Sequence, residues 1–251
     1  LGVGLRGYTR LSAGARDRGH WKIRDIESRV RLATADVVRK LRCHGSHPRT
    51  QRLWPTVTIS LAMICGDAHR DVLARCIHSV MAPYGLYAPF VNTVVVCWNG
   101  KGEIPDSDAL YGISILPQDW KGDFAAARND SYSHTEGDWI LWLDADDVVD
   151  SSHPPTKPLA DTLAALSPDI GCVWLPYLYA ADLPMKIPRL VRRSAGPWRW
   201  RGAVHEELVS DAPTSVAWTI LDAPMIVHKP VQSESTRQLR NVEIMDRLFA
   251  T

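Results

Sequence analysis

Short apolar runs, each closed by glycine, asparagine or aspartate, recur from Val57 to Tyr179. Val57–Ile64 closes on Gly66-Asp67, Phe90–Trp98 on Asn99-Gly100, and Trp139–Leu143 on Asp144-Ala145-Asp146. Continuous apolar runs bounded by turn residues read as strands buried on both faces, as in a parallel sheet. Ile113–Leu116 and Ile170–Tyr179 join that set. Helical spacing fills the gaps. Asp71–Met81 places Val72, Leu73, Cys76, Ile77 and Val80 on one face, Phe124–Tyr132 is rich in alanine, and Leu159–Leu166 follows. Strands alternating with helices predict an α/β domain whose mainly parallel sheet carries helices on both faces. In such sheets ligands collect at the carboxyl ends of the strands, where all three polar clusters fall.

The two ends of the chain differ from this middle. Residues 1–20 show no period and read as a loop or arm. Over 22–42, Ile23, Ile26, Val30, Val37 and Leu41 recur at helical spacing among lysines and arginines. The segment Cys43–Arg52 reads as a linker. The stretch 180–225 shows no regular period. In Val231–Ala250, Leu239, Val242, Ile244, Met245, Leu248 and Phe249 form a helical stripe, expected to pack on the core or, alternatively, to dock a further domain or subunit.

Charge sharpens the boundary. The net charge of +1 hides 13 Lys+Arg against 4 Asp+Glu in residues 1–54, and 16 against 24 in the remainder. A basic extension over 1–54, carrying one amphipathic helix, and a main domain over 55–251 are therefore expected, divided near Trp54-Pro55. The extension either solvates its charges or meets an anionic surface, a membrane leaflet or nucleic acid. The five cysteines are scattered without a Cys-X-X-Cys pair, which argues against a zinc ribbon and for a reducing compartment. No apolar run reaches the ~18 residues of a membrane span, and no signal-peptide pattern opens the chain, which starts at Leu1. A cytoplasmic location, peripheral at an anionic surface if the extension binds one, is the expectation.

The candidate chemistry centres on Asp144, Asp146 and Asp147. In an extended strand end, side chains two apart point the same way. Two carboxylates aimed together repel unless a cation sits between them. Oxygen ligands suit Mg²⁺ or Mn²⁺, often with substrate phosphates completing the shell. The alternative is an acidic turn that caps a helix. Upstream, Asp123 is placed to cap the helix that carries Arg128 and Asn129. Arg128 would either fork onto phosphate oxygens or pair with a carboxylate such as Asp144.

The segments Thr58–Ile64 (TISLAMI), Leu73–Val80 (LARCIHSV), Asp123–Asn129 (DFAAARN) and Gly137–Asp146 (GDWILWLDAD) follow in the order seen in family 2 glycosyltransferases. So do Arg189–Arg193 (RLVRR), Trp200–Glu206 (WRGAVHE) and Val227-His228. The chain resembles the branch of lipopolysaccharide-core glucosyltransferases and bacteriocin peptide glycosyltransferases over roughly 57–250. The resemblance implies a GT-A, Rossmann-like fold and inverting transfer from a nucleotide-diphosphate sugar, UDP-sugar first, with Mn²⁺ or Mg²⁺. Carried over by position, Asp146 is the main metal carboxylate, Asp144 faces ribose or metal, and Arg128, Asp123 and Asn129 lie against the donor. Two segments depart from the family: Cys65-Gly66-Asp67 stands where Lys-Asn-Glu is usual, and Cys97–Gly102 (CWNGKG) where Asp-Thr-Gly-Ser-Thr-Asp is usual. Cys65, Asp67, Trp98 and Asn99 are then the candidate contacts to the nucleoside, with Trp98 stacking on the base.

Inversion calls for a base on the acceptor side. Glu206 is the first candidate and Asp147 the second. His205 and His228 are candidates to complete the metal shell, or else hydrogen-bonded structural residues. Trp198 and Trp200 form a candidate platform under an acceptor sugar, or else plugs against the core. The acceptor itself is not legible, and self-association is left open. Two rivals stand beside this reading. One is a haloacid-dehalogenase-like phosphatase with Asp144 as nucleophile and Asp146 as acid/base. The other is a non-catalytic binder working through residues 1–54.

Overall fold

A computed structural model describes residues 57–81, 91–105, 112–150, 152, 155–179, 183–212 and 215–250. The expected basic extension, its helix over 22–42 and its linker lie outside the described residues. The chain opens with β1 (Ile59–Cys65), a 3₁₀ turn (Asp67–His69) and α1 (Arg70–Met81). Then come β2 (Thr93–Trp98), β3 (Ile113–Pro117), α2 (Phe124–Ser133), β4 (Trp139–Trp142) and β5 (Asp147–Val149). Next are α3 (Leu159–Ala164), β6 (Ile170–Leu178) and β7 (Pro184–Arg192). The described chain ends with β8 (Trp198–Arg201), β9 (Glu207–Ser210), β10 (Ala217–Ile220), β11 (Ile226–His228) and α4 (Glu234–Phe249).

One sheet takes the order β3-β2-β1-β4-β7-β6-β11-β5, with β10 beside β6, while β8 and β9 form a separate hairpin. The strands β3, β2, β1 and β4 run parallel; β7 runs against both β4 and β6; β11 is parallel to β6 and antiparallel to β5. The sheet is thus mainly parallel, as its apolar runs predict.

The period of two sorts these strands into two cores. Ile59, Leu61 and Met63 of β1, with Trp139 and Leu141 of β4 and Leu190 of β7, face α1 and α3 through Leu73, Cys76, Val80, Leu159 and Leu163. The intervening Ala62, Ile140 and Val191 face the other way, onto Ala125 and Tyr132 of α2 and Trp200 of β8. Helices therefore cover both faces, and most strand residues are buried whichever way they point.

Between β4 and β5 the chain has only the stretch 143–146, yet the two strands stand four places apart in the sheet. Four inter-strand steps span ~19 Å in a flat sheet, close to the full reach of the connecting chain. The connection is a turn, closed by Asp147 N–H donating to the Asp144 carbonyl at 2.9 Å. The sheet must curl to meet it. The curl brings His228, at the carboxyl end of β11, beside Asp146 and Asp147.

The helix α4 departs from the expected core packing. Of its apolar stripe only Ile244 is buried; Leu239, Val242, Leu248 and Phe249 are exposed. No helix among the described residues is long and apolar enough to cross a membrane.

Candidate active site

A cleft of about 430 Å³ opens at the carboxyl edge of the sheet. Its walls come from the end of β1 (Cys65) and the turn after it (Asp67, His69), Asn99 after β2, Arg128 of α2, and Asp144 and Asp146. The β8–β9 connection adds His205 and Glu206, and α4 with its lead-in adds Gln232, Arg237, Arg240 and Asn241.

The acidic turn divides its three carboxylates. Asp144 and Asp146 do not lie together at an extended strand end as the spacing suggested, since a turn closes from Asp144 to Asp147 and Asp146 sits within it. Asp144 points to Arg128, whose Nη2 donates to Oδ1 at 2.7 Å, while the Arg128 Nε donates to Glu206 Oε1, also at 2.7 Å. Arg128 is stacked between Trp142 and Trp200, at 4.9 and 5.0 Å from the ring centres. Burial alone would raise the Asp144 carboxyl, but the Arg128 charge and hydrogen bond, with Arg189, hold it down at about 2. The salt-bridge reading of Arg128 is the one the geometry shows.

Asp147 goes the other way, into the core. It is fully buried, pairs with Arg189 at 3.0 Å, and accepts from Tyr177 Oη and from His228 Nδ1, each at 3.1 Å. A carboxylate so enclosed reaches no acceptor hydroxyl, so Asp147 is not placed to act as the general base.

Asp146 has no arginine partner among the described residues. Its neighbours are His228 Nδ1 at 3.7 Å and His69 Nε2 at 3.7 Å. Burial raises its carboxyl, and the Asp144 and Asp147 charges add to that, against His228 and His69. Asp146, Asp147 and His228 offer ligand atoms within 4.8 Å of one another. Two hard oxygens and one imidazole suit a divalent cation such as Mn²⁺. A cation here would relieve the crowding that Asp146 feels, so the residues fit the group. Asp144, held by Arg128, and His205 stand outside this set. His205 is exposed, at φ 54°, and makes no hydrogen bond or ion pair among the described residues. His228, by contrast, is lifted above its usual range: burial opposes this, but the Asp147 hydrogen bond and the Asp146 charge outweigh it.

Several expected contacts turn inward. Trp98 is 2% exposed and lies in the core with Val94 and Val96, so it cannot stack on a base. Asp67 spends both oxygens on the loop after β2, accepting from the backbone N–H groups of Lys101 (2.8 Å) and Gly102 (3.0 Å). That loop needs glycine at 100, where a Cβ would sit 2.5 Å from both Asp67 Oδ1 and the Trp98 ring. Cys65 touches the cleft, but burial with Asp146 and Asp67 pushes its thiol up to about 12. Asn99 is held by Gln118, which Asp130 anchors in turn.

Asp123 caps α2, its Oδ1 accepting from Ala126 N–H at 2.8 Å, and does not line the cleft. Asn129 pairs with both backbone groups of Trp200, at 2.9 and 2.8 Å, and so pins the β8–β9 hairpin to α2 rather than touching a ligand. Trp200 is 4% exposed, edge-on to Trp142 at 4.9 Å, and Trp198 Nε1 donates to the Arg192 carbonyl. Neither forms a sugar platform. Trp120, edge-on to Phe124 at 4.8 Å, is the exposed tryptophan that does line the cleft.

Sequence reasoning missed His69, Trp120, Arg237 and Arg240. His69 had a signal, being two residues past Asp67 in the same turn. Arg237 and Arg240 had one in their helical spacing.

Taken together, the chain is an α/β protein with a metal-competent acidic cleft at the carboxyl edge of a curled, mainly parallel sheet. Residues 60–175 match the family model for Glycosyl transferase family 2. A TPR repeat-containing protein of Synechococcus elongatus is 37% identical over 92 residues, covering 36% of this chain and 21% of its own length. The SPbeta prophage-derived glycosyltransferase SunS of Bacillus subtilis is 31% identical over 110 residues, covering 43% of this chain and 24% of its own. The chain therefore spans a quarter or less of these relatives. A crystal structure of GalNAc-T7 with UDP, GalNAc and Mn²⁺ aligns at a TM-score of 0.36 and 14% identity, over 62% of this chain and 30% of that one. The family 2 match thus runs from β1 into β6 of the α/β domain, the stretch that carries the acidic turn.

Proposed function

We propose that this domain is an inverting glycosyltransferase that moves a sugar from a nucleotide-diphosphate donor, UDP-sugar in the first instance, to an acceptor hydroxyl, in a reaction dependent on Mn²⁺ or Mg²⁺. The observation that carries this reading is the division of the acidic turn within a family 2 domain. Arg128 neutralises Asp144, Arg189 neutralises Asp147, and Asp146 is left beside two histidines in an open cleft. Asp146 and His228 would hold the cation, which when bound offsets the charge that grows on a leaving diphosphate.

Glu206 is the base in this scheme. It lines the cleft, and Arg128 holds its Oε1, so that Oε2 is the oxygen left to accept a proton. The acceptor hydroxyl gives its proton to Glu206, its oxygen bonds to the anomeric carbon, and the bond from that carbon to the phosphate oxygen breaks. The nucleoside diphosphate departs with the electron pair, and the sugar inverts. Burial of Trp98 and Trp200 shifts the stacking role to Trp120, which stands exposed at the cleft mouth.

The phosphatase alternative draws no support from the geometry. Three strands precede the motif strand, and Asp144, its nucleophile, is locked to Arg128.

The test is calorimetric titration with a panel of nucleoside diphosphates and their sugars, in Mn²⁺ and then in EDTA. Binding of one nucleotide that is lost in EDTA is the expected result. The reading is wrong if no member of the panel binds.

A further inference from the structure

The helix α4 lies beyond the residues that match the family, yet it forms one wall of the cleft. Arg237, Arg240, Asn241 and Ile244 recur at helical spacing and share one face. Ile244 is that helix's one buried residue, and the other three line the cleft. The helix is thus seated largely through polar groups, while its apolar stripe faces outward.

The two arginines differ in their partners. Arg237 bonds Glu234 and approaches His228 Nε2 at 3.1 Å. Arg240 has no carboxylate partner among the described residues and only a 3.4 Å contact to the side chain of Asn241. Its guanidinium lies over the Phe124 ring, 4.8 Å from the centre, which fixes its plane at the cleft wall. The Nε atoms of both arginines, and Oε1 of Gln232, are buried without a hydrogen-bond partner. A buried donor left unpaired costs about 1–3 kcal/mol, so such atoms mark either a ligand or an ordered water. Burial, and then the Arg237 charge, depress the Arg240 guanidinium from its ordinary value. It is a crowded cation that an anion would relieve.

The charges of the cleft point to the anion's class. Arg128 faces both Asp144 and Glu206, one positive charge against two negative, and Glu234 offsets Arg237. Asp67 is tied into the loop after β2. What is left is Asp146 and Arg240. A divalent cation on Asp146 would offset the excess of negative charge at the acidic turn and leave Arg240 as the cleft guanidinium with no carboxylate partner among the described residues. Arg presents planar, paired donors suited to phosphate oxygens.

We propose that Arg240, seconded by Arg237, binds the phosphates of the nucleotide donor, so that α4 is a working wall of the donor site. This rests on the donor reading above but assigns residues outside the matched family segment.

The experiment compares the wild-type chain with Arg240→Gln, Arg240→Lys and Arg237→Gln by calorimetry in Mn²⁺. The probes are the nucleoside diphosphate that binds the wild type, its parent nucleoside, and inorganic pyrophosphate. Arg240→Gln should weaken the diphosphate and pyrophosphate at least tenfold and leave the nucleoside within twofold. Arg240→Lys should recover part of the loss, and Arg237→Gln should show a smaller loss of the same kind. Equal losses for nucleoside and diphosphate, or no loss in either glutamine variant, overturn the assignment. If the wild type binds no nucleotide or pyrophosphate, the donor reading and this one fall together. If nucleotide binding is retained undiminished in both variants, only the α4 assignment falls. If the arginines prove essential for diphosphate yet no sugar nucleotide supports transfer, the assignment stands and the transferase reading falls.

Discussion

Replacing Arg189 by Met removes the arginine that pairs with Asp147, and the size of the effect can be worked out beforehand. Both side chains are almost fully enclosed, 1% and 0% exposed, and Arg189 also lies between Trp142 and Tyr177, at 3.8 and 4.5 Å from the ring centres. Methionine fills much of the same volume, so the packing loss is small. The charge loss is not. Breaking a buried pair from one side costs about 3–5 kcal/mol. One escape open to the variant is to take up a proton, at Asp147 or at the His228 imidazole beside it. Keeping an ordinary carboxyl of pKa about 3.9 protonated at pH 7 costs about 4 kcal/mol. The two routes agree, and the expected loss at pH 7 is about 3–4 kcal/mol, a large share of the roughly 5–15 kcal/mol that holds a domain.

The sign of the pH dependence follows. In the variant the folded state binds a proton that the unfolded state has released. Its stability therefore falls as pH rises above about 4, by at most about 1.4 kcal/mol per pH unit. The gap to the wild type should narrow by about 1.5–3 kcal/mol between pH 7 and pH 5. Urea unfolding followed by tryptophan fluorescence measures this directly. The double variant Arg189→Met with Asp147→Asn should recover at least 2 kcal/mol over the sum of the two single losses. A single-variant loss below about 1 kcal/mol, or an additive double variant, refutes the view that this buried pair holds the acidic turn.

Three other outcomes are expected. Asp146→Asn should leave urea stability within about 1 kcal/mol while lowering Mn²⁺-dependent nucleotide affinity at least tenfold by calorimetry; unchanged affinity would remove Asp146 from the metal site. Trp200→Ala should cost about 3–5 kcal/mol of stability, whereas Trp120→Ala should stay within about 0.5 kcal/mol and lose ligand affinity instead; the reverse pattern in unfolding curves would contradict the burial assigned to each. Asp144, held at about 2 by Arg128, contributes stability that is present above the unfolded carboxyl value of 3.8 and is lost as pH falls through about 2. Carboxyl-carbon NMR titration should show that midpoint rise in Arg128→Gln, and a midpoint already near 3.8 in the wild type would disprove the pairing.

What the sequence made legible was the apolar skeleton. The strands β1, β2, β4 and β6 are continuous apolar runs, and each was placed to within a few residues. Around β6 the rest of the second half was not legible: β5, β10 and β11 are three or four residues long, too short to carry a period, and β7 breaks its apolar run with two prolines, a lysine and an arginine. Side-chain direction was the other loss. Trp98 reads as a ligand contact when it is seen as the last residue before a polar turn. Counted by twos along β2, it shares a face with Val94 and Val96, and that face is core. Trp198 and Trp200 likewise share one face of β8 and pack against the second core, while Arg199 and Arg201 point out to Asp211. In α4 the apolar stripe hid the one that lines the cleft, since Leu239, Val242 and Phe249 drew attention away from Arg237, Arg240 and Asn241.

The acidic turn shows why spacing alone could not assign the carboxylates. Asp144, Asp146 and Asp147 are near-neighbours in sequence, and any two of them would serve a metal on paper. Their roles are set by what the rest of the chain brings to each. The helix α2 delivers Arg128 to Asp144, and β7 delivers Arg189 to Asp147. The curl of the sheet delivers His228, and the turn after β1 delivers His69, to Asp146. Two guanidinium groups remove the repulsion that three ionised carboxylates in one turn would otherwise suffer, and imidazoles beside the third leave room for a cation. Asp146 is thus singled out by its neighbours' partners. A cation bound at Asp146 would depend on Arg128 and Arg189 although neither would touch it, because without them the carboxylates of the turn would repel one another and pull it open.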